Sequence, residues 1–143
     1  MRAKPDLLRR VLRIDGWSTA VFGVVLLAGA VPLSGPLGLP VAWSVPFGVA
    51  MLGGAAALGL IAGYPRIRDR HAVYVVTGNA VSGVALPALA FSGLLPLTGL
   101  GVAFLLSGAV VVMVYAGLEY AGLRRLRTEW ASTAAGRDDP GSG

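Results

Sequence analysis

The sequence predicts an all-α polytopic membrane protein: an up-down bundle of four transmembrane helices with both termini cytoplasmic. Three observations predict it. Charged residues are 13% of the 143 and hydrophobic residues 55%, about half the charge of an ordinary soluble domain, with a mean hydropathy of +0.73. The charges are segregated: residues 16–65 and 71–118, runs of 50 and 48, hold no Asp, Glu, Lys or Arg. The twelve Lys and Arg fall only before the first run, between the two, and after the second.

At 1.5 Å per residue, about 20 apolar residues cross a hydrocarbon core of ~30 Å, so each run holds two crossings and a turn. In the first run, Pro32, Ser34, Gly35, Pro36, Gly38 and Pro40 mark the turn and predict spans at 15–33 and 44–64. In the second, Gly93, Pro96, Thr98 and Gly99 mark it, giving spans at 71–93 and 98–123. Backbone in lipid must satisfy its own hydrogen bonds, so these spans are helices, and no ten-residue alternating segments suggest a barrel. Pro87 is expected to kink the third span. Residues 1–14 read as a basic amphipathic N-terminal segment, with Leu7, Leu8, Val11 and Leu12 between arginines, lying on the inner surface or extending the first helix. Residues 126–143 read as a flexible cytoplasmic tail. Ala28-Gly29-Ala30 matches a signal-cleavage pattern, but the long basic start with Asp6 and Asp15 favours a retained helix.

Both termini and the Arg66–Arg70 loop are placed inside by their basic residues, and the uncharged loops outside. The predicted location is a bacterial inner membrane; the preference for arginine (11, against one lysine) and for Ala, Gly, Val and Leu suits a GC-rich bacterium. In lipid, close backbone approach holds helices together. The small-residue stripes through Gly59 and Gly63, through Gly78, and through Gly117 are expected to be packing faces, within the chain or between copies.

Several chemistries are excluded. Without cysteine there is no disulfide or thiolate site, and a lone His71 gives no histidine metal cluster. No phosphate-binding Gly-Lys loop and no Ser–His–Asp set is present. No cofactor, metal or nucleic-acid partner is expected, because the basic residues are orientation signals. The polar candidates are Asp15, His71, Asn79 and Glu119, since polar groups at membrane depth are costly and often functional. Asp15 and Glu119 are expected at the inner edge, each ionised and paired with an arginine from among Arg13, Arg66, Arg68, Arg124 and Arg125. Asn79 is expected to fix packing through an interhelical hydrogen bond.

Leu12-Arg13-Ile14-Asp15, Gly38-Leu39-Pro40, Asn79-Ala80 and Leu118-Glu119-Tyr120-Ala121-Gly122-Leu123-Arg124-Arg125 form a pattern over residues 7–125. It resembles a family of small four-span actinobacterial integral membrane proteins of unknown function. The resemblance implies the four-helix architecture and draws attention to Asp15, Asn79 and Glu119. Small multidrug transporters share the span number, but they rely on a glutamate in the middle of the first helix, where this chain has no charge beyond Asp15.

The leading functional expectation is a small inner-membrane protein with no evident catalytic site, acting by packing against itself, lipid or a partner membrane protein. The alternatives are a proton-linked carrier or lipophilic-ligand binder using Asp15, Asn79 and Glu119, and a membrane enzyme on a lipid-like substrate.

Overall fold

The computed structural model describes residues 6–136. The described residues are helical and contain no strand. The helices run α1 (Asp6–Ala28), α2 (Ser34–Leu37), α3 (Val41–Gly63), α4 (Asp69–Phe91) and α5 (Gly99–Ala135). Four of them, α1, α3, α4 and α5, are long and apolar enough to cross a membrane, so the chain is a multi-pass membrane protein. Their exposed side chains are apolar along much of their length, for example Val21, Leu60, Val84 and Val110, as a lipid-facing surface requires.

Two boundaries differ from the sequence expectation. Helix α1 starts at Asp6 and ends at Ala28, instead of spanning 15–33. Residues 6–14 therefore extend the first helix, the second of the two arrangements expected for them. Their apolar face is the reason: Leu8 and Leu12 are 2% and 0% exposed, packed with Leu58, Ala62, Ala72 and Leu123. Helix α5 continues to Ala135, so residues 126–135 are helix and not tail. Two side-chain contacts hold the extension: Arg127 Nε pairs with Asp69 Oδ2 at 2.9 Å, and the Arg66 guanidinium lies 5.5 Å from the Trp130 ring centroid. The rest of the expected tail, 137–143, and Pro5 at the expected helix start lie outside the described residues. Pro87 sits inside α4, which nevertheless continues as α-helix to Phe91.

Helices α1 and α3 pack as a pair, α4 and α5 as a second pair, and α1 lies against α5 to join them. No comparable contact links α3 to α4 among the described residues. At one end the start of α1, the α3–α4 connection and the end of α5 meet, with Arg9 Nη2 donating to the Tyr64 carbonyl at 2.9 Å. At the other end α2 locks onto the start of α5. Thr98 N–H donates to the Leu37 carbonyl at 3.1 Å, and its hydroxyl donates to the Pro36 carbonyl at 2.6 Å. The Thr98 oxygen also accepts from Gly101 N–H at 3.1 Å, capping α5. Gly38, at φ 63°, supplies the left-handed turn that ends α2.

The close helix approaches fall on other glycines than expected. A Cβ at Gly59, Gly63, Gly78 or Gly117 would meet nothing within 4 Å, so none of these is a tight packing position within the chain. The α1–α3 approach is at Gly23 and Gly48, where a Cβ on Gly23 would stand 3.1 Å from the Gly48 carbonyl oxygen. Further along the same pair, a Cβ on Gly16 would stand 3.4 Å from Leu58. Gly83 faces Met113 across α4–α5, and Gly122 faces Leu8 across α5–α1. Four-residue spacing identifies a stripe of small residues but not the direction it faces.

Candidate functional site

Asp15 lies within α1 and is buried inside the helix bundle. It stands nine residues after Asp6, about 14 Å along the helix. Asn79 stands ten residues after Asp69 on α4, about 15 Å in. Both reach the same depth, and Glu119 of α5 meets them there. Asn79 Nδ2 donates to Asp15 Oδ2 at 2.8 Å and to Glu119 Oε2 at 3.0 Å. One amide thus ties three helices together through its two N–H bonds. Asp15 and Glu119 are both 0% exposed.

The expected arginine pairs at Asp15 and Glu119 are not formed. The ion pair among the described residues is Asp69–Arg127, at the exposed end of the molecule. Arg13, Arg66, Arg68, Arg124 and Arg125 are exposed, whereas both acids are buried. The physical reason is direction: Arg13, two residues before Asp15 on α1, points about 200° round the helix from it and is exposed, whereas Asp15 faces the bundle.

Two neighbours that sequence reasoning passed over complete the polar network. Thr19 Oγ1 donates to Asp15 Oδ1 at 3.0 Å; its place one turn after Asp15 was the available signal. Ser18 Oγ lies 3.0 Å from the Tyr115 hydroxyl and within 2.9 Å of the Ile14 carbonyl, joining α1 to α5 one turn beyond Glu119. Three of the four carboxylate oxygens therefore have donors. The fourth, Glu119 Oε1, is buried with no partner among the described residues.

His71 stands apart. Its ring stacks on Tyr64 with centroids 5.8 Å apart, and its Nδ1 makes no hydrogen bond among the described residues. It makes no hydrogen bond to the acids. The described residues contain no cluster of three or more His, Cys, Asp or Glu side chains suited to a metal ion.

Beside the network lies a cavity of about 610 Å³, lined by all four long helices and open where α3 and α4 stand apart. Its walls are apolar, with Phe22, Met51, Leu58, Leu86 and Phe104 among them. Its polar lining comes from Ser18, Thr19, Tyr74, Asn79 and Ser82. The small residues Gly54, Ala57, Gly78 and Ala85 face it, which is why the stripe through Gly78 touches no helix. Asn79 is the hinge between the two features: its nitrogen holds the buried acids, and its side chain lines the cavity. Its Oδ1 accepts no hydrogen bond from any described residue.

Comparison with known proteins gives no match for this chain, whether against family models, curated proteins or solved structures. The chemistry of the cavity and the buried acids therefore carries the functional reading.

Proposed function

We propose that the protein binds a lipophilic molecule with a hydrogen-bond-donating head in the groove between α3 and α4. The observation that supports this most is the pairing of an apolar cavity with a polar floor made of acceptors. Both N–H bonds of Asn79 and the Thr19 hydroxyl proton point to Asp15 and Glu119, which leaves Asn79 Oδ1 and the Thr19 oxygen lone pairs for a ligand. The two acids behind them favour a head of positive charge. Ligand pockets are commonly apolar concavities of 300–1,000 Å³ with a few convergent polar groups, and the groove has that form.

In this reading the bundle is up-down, in a bacterial inner membrane, with both termini and the Arg66–Arg70 loop cytoplasmic. The positive-inside pattern supports that orientation. Membership of the small actinobacterial four-span group is part of the same proposal, resting on the motifs around Asp15, Asn79 and Glu119.

The test is binding of a lipophilic fluorescent amine to the detergent-solubilised protein. A Cβ at Gly78 would meet no neighbour within 4 Å, and Gly78 lines the groove, so Gly78→Phe is expected to fill the groove and keep the fold. The reading expects saturable binding to wild type, weakened at least tenfold by Gly78→Phe at an unchanged melting temperature. Equal affinity in both proteins contradicts it. A second reading, favoured by the open small-residue faces at Gly54 and Gly78, seats a helix of another copy or of a partner membrane protein in the groove. It expects the same substitution to shift the oligomeric state instead.

A further inference from the structure

The buried acids pose a problem that the ligand reading does not solve. Two carboxyl groups share one amide, both are fully buried, and no Lys, Arg or His forms an ion pair or hydrogen bond with either among the described residues. The surroundings offer no other source of positive charge. On α1 the neighbouring polar groups are Ser18 and Thr19, and Arg13 is exposed. On α5 the titratable neighbour is Tyr115, whose hydroxyl bonds Ser18, while Arg124 and Arg125 are exposed. On α4 Tyr74 is exposed, and His71 is two turns away, against Tyr64. Helix α3 carries no titratable side chain. Two like charges this close in a water-poor site cannot both persist. Glu119 Oε1 meanwhile is a buried polar atom without a donor or acceptor, which a native interior rarely leaves unexplained.

We infer that Asp15 and Glu119 form a proton-binding site that holds one exchangeable proton between them within the membrane. The proton answers both observations. It reduces the pair to a single negative charge, and Glu119 Oε1, the one carboxyl oxygen of the pair that accepts no hydrogen bond, is where it can sit without displacing a donor. Asn79 and Thr19 are positioning residues: they fix the other three carboxyl oxygens, so the proton has one place to sit. Release moves the proton to water and leaves a second negative charge, which a cationic ligand head or a returning proton would neutralise. The inference does not depend on the groove holding a ligand, and each stands or falls by its own experiment.

The test is infrared spectroscopy of the full chain in lipid nanodiscs at neutral pH. Wild type is expected to show a protonated-carboxyl C=O band that moves in D₂O, fades as the pH is raised, and is absent from Glu119→Gln. The Gln side chain keeps an N–H where the proton sits, so this variant is expected to fold. A site that keeps a proton which the unfolded chain gives up adds stability on the acid side, and that stability is lost as the pH rises and the proton leaves. The melting temperature of wild type should therefore fall with rising pH, and that of Glu119→Gln should not. Absence of the band from wild type overturns the inference, and this spectrum decides even if a variant fails to fold. A band unchanged in Glu119→Gln overturns it as well. So does a wild-type melting temperature raised by sodium chloride over choline chloride and lost in Glu119→Gln, which would assign the site to a metal cation.

Discussion

Asn79 contributes through geometry that no other residue in the spans can supply. Its amide has two N–H bonds set at a fixed angle, and each reaches a different carboxyl on a different helix. Asn79→Leu would leave two buried carboxyl oxygens without donors, at about 1–3 kcal/mol for each group. The expected result is a large fall in melting temperature in detergent. Thr19→Ala removes one hydroxyl donor from a partly buried position and should cost about 1 kcal/mol; a loss equal to that of Asn79→Leu would count against a central role for the amide. The polar residues were legible in the sequence because Asn79 interrupts an apolar run and Asp15 and Glu119 bound the two runs. Their convergence was not legible. Reading the first helix from Asp15 placed that residue at the interface, where an arginine partner is the natural expectation. Asp15 is instead buried between helices on the same helix as Leu8 and Leu12, a tertiary effect that periodicity in an arginine-rich segment does not reveal.

For the helices themselves, the decisive property is which way each small residue faces. Gly23 and Gly48 bring α1 and α3 to close approach, backbone against backbone. Gly48→Leu must push a side chain into Leu27 and the Gly23 carbonyl, an overpacking that typically costs 1–3 kcal/mol. Gly59→Leu meets open space in the isolated chain. The first is expected to lower the melting temperature clearly and the second to leave it nearly unchanged; the reverse order would contradict the helix pairing described above. Gly59 lies in the more regular stripe of small residues, with Gly63 one turn on, whereas Leu52 stands one turn after Gly48, so the sequence alone points to the wrong one of the two. The long α5 was half legible. Its apolar run ends near Leu123, and the polar turns beyond are held by Asp69 and Arg66, partners from another connection.

At the scale of the whole molecule, the two helix pairs meet through α1 and α5 and leave α3 and α4 apart, so the chain has a closed side and an open one. The four spans were legible from hydropathy and punctuation, since lipid permits little else. The open side was not, because a groove is an absence of contact between two helices that each look apolar all round. Orientation is testable by reporter fusions: sites after Pro40 and Pro96 are expected outside, and sites at Asp69 and the C-terminus inside. An outward signal at Asp69 would invert the basic end. The central claim is that the groove beside Asn79 receives a lipophilic ligand. The chain contains no cysteine, so single thiols report cleanly. The most direct measurement is the alkylation rate of Gly78→Cys, inside the groove, against Gly117→Cys, on an open face of α5, with and without a lipophilic amine. The account predicts that the amine slows labelling of Gly78→Cys at least tenfold and leaves Gly117→Cys unaffected. Equal rates at Gly78→Cys with and without the amine, at concentrations that saturate binding to the protein, would contradict it.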